Sequence, residues 1–164
     1  MERGHGAVSV DWGQSGTTAA LWWQKRDEAG GWHVADEYYV KGGGVSDSAH
    51  LEAMVGKWGM AQGYVFDPSA VSMKLEAHKM GLPSISAPHP INAVARGIGA
   101  VLDRLQSGKL TIDTRCRHLL DEAAAYCYNP KTKQPVKSFD HACDALRYGV
   151  MVYMPKGTET LVGG

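Results

Sequence analysis

Cysteine is scarce and scattered. Only Cys116, Cys127 and Cys143 occur, and no two stand in Cys-x-x-Cys spacing. A disulfide framework and a zinc site are both disfavoured, and a reducing cytosol is the simpler setting. Long hydrophobic runs are missing too. No apolar stretch reaches the ~20 residues needed to cross a bilayer, and Met1-Glu2-Arg3-Gly4-His5-Gly6 lacks the apolar segment of a signal peptide. No Gly-x-x-x-x-Gly-Lys-[Ser/Thr] phosphate loop is present, since Ser107-Gly108-Lys109-Leu110 fails the pattern. A net charge is also lacking: 17 Lys and Arg balance 17 Asp and Glu.

What is present is a chain of 164 residues, 44% of them apolar, enough for one domain with a proper core. The expected organisation is one domain over residues 1–154 and a flexible tail over 155–164. The balanced charge is unevenly placed. Residues 1–95 hold seven basic against ten acidic side chains, whereas residues 96–137 hold eight against four. A local basic surface beside an acidic half is compatible with a phosphate-backbone ligand, and equally with ordinary solvated helix faces.

Periodicity sets out the elements. Residues 7–11, 17–24 and 32–40 read as three strands joined by short polar loops, an antiparallel meander. After Lys41-Gly42-Gly43-Gly44, the apolar positions Leu51, Met54, Val55 and Trp58 recur at helical spacing. Residues 63–67 form a further strand, stopped by Pro68. Val71, Leu75 and His78 predict one face of a short helix ending near Gly81, and residues 82–87 a short strand. Asn92 can cap a helix carrying Val94, Ile98, Val101, Leu102 and Leu105, ended by Gly108. Residues 110–112 make another strand. Thr114 can cap a helix whose inner face is Cys116, Leu119, Leu120, Ala123 and Cys127. Residues 129–135 form a turn, expected to be a mobile hairpin tip. The last helix, 140–153, carries Ala142, Ala145, Leu146, Gly149, Val150 and Tyr153 on one stripe, with Asp140, Asp144 and Arg147 opposite. Three antiparallel strands followed by alternating helices and strands predict a ribonuclease H-like α/β fold: a mixed sheet with helices on both faces.

Three aspartates stand out. Asp11 ends the first strand and Asp67 the fourth, where a carboxylate projects toward the loop rim rather than the core. Asp144 lies among apolar neighbours in the last helix. Each has a plain structural reading: an Asx turn for Asp11, an Asp-Pro turn opener for Asp67, a solvated helix carboxylate for Asp144. If the fold gathers them, they repel one another, and a divalent cation relieves that repulsion. Oxygen-only ligands suit Mg²⁺ or Mn²⁺, and the chemistry is attack of water on a phosphodiester. Asp140 is either a further ligand or a helix cap, and His141 either a ligand or a residue of the helix's first turn.

The string Asp140-His141-x-x-Asp144-Ala145-Leu146-Arg147-Tyr148 resembles the closing motif of the nuclease domain in large terminase subunits of tailed bacteriophages. Val10-Asp11-Trp12-Gly13 resembles that domain's first motif and Val65-Phe66-Asp67-Pro68 its second. Residues 92–112 and Glu122-Ala123-Ala124-Ala125-Tyr126 are also similar, so the likeness spans residues 7–153. It implies an endodeoxyribonuclease that cuts concatemeric viral DNA during genome packaging, here without its ATPase motor. Carried over by motif, Asp11, Asp67 and Asp144 are the catalytic metal ligands, with Asp140 or His141 as an additional one. Two ions are implied, Asp11 bridging both, with products ending in a 5′-phosphate and a 3′-hydroxyl. The implied partners are double-stranded DNA, the ATPase domain, the small terminase subunit and the portal, in the cytoplasm of the infected bacterial host. Lys131, Lys133, Lys137, Arg115 and Arg117 are the expected contacts to the DNA backbone.

Other readings of the same residues are a nuclease resembling Holliday-junction resolvases and a non-catalytic DNA-binding domain of the same fold. Asp11 to Thr18 is also similar to the phosphate-binding hairpin of actin-like sugar kinases. Those enzymes need two such domains, for which the chain is too short.

Overall fold

The computed structural model describes residues 5–13, 16–88, 93–125 and 140–155. Strands β1 (Gly6–Asp11), β2 (Thr18–Lys25) and β3 (Trp32–Val40) form the antiparallel meander. Then follow α1 (Asp47–Trp58), β4 (Tyr64–Phe66), α2 (Val71–Lys79), β5 (Ser84–Ser86), α3 (Ala93–Gln106), β6 (Leu110–Ile112), α4 (Arg117–Ala125) and α5 (His141–Tyr153). The described strands make one six-stranded sheet in the order β5-β4-β1-β2-β3-β6. β4 runs parallel to β1, β5 to β4 and β6 to β3. The mixed sheet expected from the sequence is what forms.

Side-chain parity along the strands divides the core into two layers. On one face Val8, Val10, Ala20, Trp22, Tyr64 and Phe66 pack against Leu51 and Met54 of α1 and Met73 and Ala77 of α2. On the other, Ala7, Ala19, Leu21, Trp23 and Val34 meet Leu119 of α4 and Ala142, Ala145, Leu146 and Val150 of α5. Helices therefore cover both faces. Trp23 is fully buried beneath α5, its indole N–H donating to Ser9 Oγ at 2.8 Å. Gly149 allows this approach: a Cβ there would lie 2.1 Å from the Trp23 ring.

Two expectations about helix faces need correcting. In α2 the buried residues are Met73 and Ala77, whereas Val71 and Leu75 are exposed. Met73 and Ala77 are four residues apart and join the apolar cluster of α1 and the sheet, so Val71 and Leu75 point outward. In α4, Leu120 and Ala123 are exposed and Glu122 is buried. The N-terminus of α4 is closed not by Thr114 but by Glu37 of β3, whose carboxylate accepts from the amides of His118 (2.8 Å) and Leu119 (3.0 Å). In α5 the stripe opposite the core is also covered. Arg147 is buried, its aliphatic stem filling the space a Cβ on Gly97 of α3 would need. Asn92, Cys127, the 129–135 turn and most of the 155–164 tail lie outside the described residues.

Candidate active site

Strand parity aims Asp11 and Asp67 at the same place. Asp11 follows Ala7 and Ser9 on the face covered by α5. In the parallel ladder Val10 pairs with Phe66, so one residue further on Asp11 and Asp67 stand at neighbouring strand ends. Asp67 is two residues after Val65, which packs on Tyr148 of α5. The first two turns of α5 lie over both strand ends, and its Asp144 completes the group.

Each carboxylate has an internal partner. Asp11 accepts a hydrogen bond from His141 Nδ1 at 3.0 Å. Asp67 divides its oxygens. Oδ1 accepts from the amide and hydroxyl of Ser69, the turn geometry foreseen for an Asp-Pro step, and Oδ2 accepts from the Tyr148 hydroxyl at 2.7 Å. Asp144 Oδ1 accepts from Arg147 at 3.2 Å, and the same guanidinium lies 4.9 Å above the Tyr148 ring. His141, Asp144, Arg147 and Tyr148 share one side of the helix because they are spaced by three and four residues. Arg147 and Tyr148 belong to the closing motif, yet that spacing alone marks them as neighbours of Asp144.

The electrostatics show that the acids feel one another. Asp144 is pushed up to about 7, first by burial, with Arg147 pulling it down and the charges of Asp11 and Asp140 pushing it up. Asp11 is raised by burial, opposed by its bond to His141, with Asp140 and Asp67 raising it further. His141 is raised in turn, chiefly by its hydrogen bond to Asp11. Burial and the Asp67 bond keep Tyr148 a protonated donor. Cys143, beside Asp144, is pushed up to about 12 by burial, so it stays a thiol.

Asp140 occupies the N-cap position of α5 but makes no side-chain cap hydrogen bond. That duty falls to Glu122 of α4, whose Oε1 accepts from the amides of Ala142 (2.8 Å) and Cys143 (3.1 Å). The helix-cap reading of Asp140 is therefore replaced. Its carboxylate stands within electrostatic reach of Asp11, Asp144 and His141. Sequence reasoning did not single out Glu122 for this, because a cap supplied by another helix leaves no local spacing signal. Arg115 and Arg117 lie at the start of α4. Both are exposed, and Arg115 engages Asp113 at the β6 edge. Lys131, Lys133 and Lys137 lie outside the described residues.

No protein-family model matches the chain, and no curated protein matches it. Solved structures do. A large terminase from a thermophilic bacteriophage, in complex with ADP, is 25% identical with a TM-score of 0.82, over 93% of this chain and 40% of that one. The P22 large terminase nuclease domain is 19% identical with a TM-score of 0.74, over 92% of this chain and 83% of that one. The large terminase nuclease of the thermophilic phage G20c, with bound magnesium, is 15% identical with a TM-score of 0.64, over 90% of this chain and 81% of that one. The present chain thus spans about 40% of the length of the ADP-bound terminase. Ordered motifs and architecture agree: the chain has the ribonuclease H-like fold of the nuclease domain of bacteriophage large terminases.

Proposed function

We propose that this chain is a divalent-metal-dependent endodeoxyribonuclease domain that cuts concatemeric viral DNA during genome packaging. The observation that carries the reading is the meeting of Asp11, Asp67 and Asp144 under the N-terminal turns of α5, where burial and mutual repulsion raise the proton affinity of Asp11 and Asp144. Three hard oxygen donors that repel one another are a fitting donor set for Mg²⁺ or Mn²⁺. Among the described residues no three His, Cys, Asp or Glu side chains are close enough together to hold a metal ion as they stand. The carboxylates are instead turned to His141, Tyr148 and Arg147. Side-chain rotation away from these partners is then part of metal binding.

In this reading Asp11, Asp67 and Asp144 would hold the divalent ions, with Asp140 or His141 adding a ligand. When bound, the metal supplies a lower pKa for the attacking water and charge stabilisation at the leaving 3′-oxygen. Until a metal enters, the Tyr148 hydroxyl holds Asp67 in place. Arg147 favours the ionised form of Asp144. His141, with its raised proton affinity, can keep a proton at Nδ1 facing Asp11. The proposed partners are double-stranded DNA, the ATPase motor domain, the small terminase subunit and the portal, in the cytoplasm of the infected bacterium. Among the described residues no helix is long and apolar enough to cross a membrane.

Plasmid digestion with Mn²⁺, with Mg²⁺ and with chelator tests the reading. Cleavage is expected with either metal and absent in chelator. Metal binding without cleavage of any DNA would point instead to a non-catalytic domain, and a strong preference for four-way junctions to a resolvase.

Stability should report the same site without any DNA. Asp144 titrates near 7 in the fold, against an ordinary value of 3.8. Its contribution to stability is therefore complete below about pH 4 and is lost as pH rises through about 7, on the order of a few kcal/mol at most. In chelator the melting temperature should fall between pH 5 and pH 8, and Mn²⁺ at pH 8 should restore it. Asp144→Asn should flatten the pH profile and remove most of the metal response. An undiminished metal response in that variant would take Asp144 out of the ligand set.

Lys131, Lys133 and Lys137 are proposed to bind the DNA backbone, with Arg115 and Arg117 as further phosphate partners. Neutralising the three lysines together should weaken binding to all duplexes alike and reduce the salt slope by about 0.9 for each phosphate no longer neutralised. Reduced affinity for a single duplex only would mean that the segment reads bases.

A further inference from the structure

Behind the aspartate group, the buried carboxylates of Glu37 and Glu122 and the half-buried Tyr39 link the sheet to α4 and α5. We propose that Glu122 is a positioning residue for the site, its carboxylate fixing the first turn of α5 and so setting where His141 and Asp144 stand. The inference rests on the nuclease reading for its catalytic meaning, but its geometry stands by itself.

Glu122 is 5% exposed, and both its oxygens are used. Oε1 takes the amides of Ala142 and Cys143, two of the four N–H groups that a helix start leaves without intrahelical partners. Oε2 takes the Tyr39 hydroxyl at 2.7 Å. The residue at the N-cap, Asp140, makes no cap bond. Capping is thus supplied from α4, and the Asp140 carboxylate is released toward the other acids. An anion at a helix N-terminus is also favoured by the aligned peptide dipoles.

The support continues backward. Tyr39 and Glu37 lie two residues apart on β3 and so on the same face of the strand. Glu37 closes α4 as Glu122 closes α5, and His118 of α4 stacks on the Tyr39 ring at 4.1 Å with 4° between planes. Strand β3 therefore fixes α4, and α4 fixes α5. Because α5 carries His141 and Asp144 within one turn of the capped amides, a shift of its first turn moves both side chains relative to Asp11 and Asp67. Partners that orient metal ligands without touching the metal typically matter by about 10–100-fold.

The test compares Glu122→Gln and Tyr39→Phe with the unaltered chain. Glu122→Gln keeps the shape and one accepting oxygen. Tyr39→Phe leaves both amide bonds and removes only the hydroxyl that orients the carboxylate. Three quantities are read: Mn²⁺ binding by calorimetry, the Mn²⁺ midpoint and kcat of cleavage, and hydrogen exchange at the Ala142 and Cys143 amides. Glu122→Gln is expected to exchange faster at those amides, to bind Mn²⁺ about tenfold more weakly, and to lose kcat with little change in the KM for DNA. Tyr39→Phe is expected to shift in the same direction by less. Should Glu122→Gln fail to fold, Tyr39→Phe decides the matter. Altered stability with unchanged Mn²⁺ affinity and unchanged kcat would reduce Glu122 to a structural cap and overturn the proposal. If the unaltered chain cleaves no DNA under any metal, the nuclease reading fails, while Mn²⁺ affinity and amide exchange still decide whether Glu122 positions the helix.

Discussion

Asp11→Ala, Asp67→Ala and Asp144→Ala should each reduce plasmid cleavage by about 10³-fold or more, with the fold intact. The expected size follows from the chemistry. A residue that holds a metal acting on both the attacking water and the leaving oxygen supports several kcal/mol of transition-state stabilisation, and about 1.36 kcal/mol is tenfold in rate. The fold should survive because none of the three carboxylates packs in an apolar layer. Asp11 meets His141, Asp67 meets Ser69 and Tyr148, and Asp144 meets Arg147. Removing a buried, mutually repelled carboxylate is expected to hold or raise the melting temperature in chelator, most clearly for Asp144 at pH 8. Asp67→Ala should be the least stable of the three, since it also loses the bonds that close the turn to Ser69. Circular dichroism, melting curves and a supercoiled-plasmid assay on the same preparations separate the two effects. A variant that cuts at a near-normal rate removes its aspartate from the site.

The legible part of this molecule is the part governed by local periodicity. β1, β2 and β3 are readable because period-two alternation and polar turns are local signals. The positions of Asp11 and Asp67 at strand ends are readable for the same reason. Their adjacency is not, because it depends on β4 joining β1 in parallel after a crossover through α1. Helix faces are less legible. In α2 the apolar side chains of Val71 and Leu75 are exposed while Met73 and Ala77 are buried, so hydrophobicity misdirects where the buried face is narrow. In α5 the stripe bearing Asp144 and Arg147 reads as lying opposite the core, and what covers Arg147 there, α3 at Gly97, leaves no mark in the local sequence. Glu37 and Glu122 are least legible of all. A glutamate capping a helix far away in sequence obeys no spacing rule, and its role emerges only from the tertiary fold. Asp140 shows the converse: a local rule offers it as a cap as readily as a ligand, and a distant residue supplies the cap bonds instead.

A single methyl group at Gly149 should cost more stability than any surface change in the chain. The added Cβ of Gly149→Ala would stand 2.1 Å from Trp23 Cζ2 and 2.4 Å from Cε2, far inside van der Waals distance. Trp23 has little freedom to yield. It is fully buried, its N–H is tied to Ser9 Oγ, and its ring meets Trp32 and Tyr153 edge-on. Either the indole leaves its pocket or α5 lifts from β2. Overpacking of this kind costs about 1–3 kcal/mol or more, or roughly 2–12 °C in melting temperature for a chain of this size. Cleavage should fall as well, because Asp144 and His141 ride on the same helix as Gly149. The control is the same substitution elsewhere. Gly99 in α3 and Gly56 in α1 are exposed helical positions where a new Cβ meets nothing within 4 Å. There Gly→Ala should stabilise by about 0.5–1 kcal/mol, through helix propensity and a less flexible unfolded chain. Equal melting temperatures for Gly149→Ala and Gly99→Ala would mean that α5 does not press on Trp23, and the placement of Asp144 over Asp11 would lose its main support.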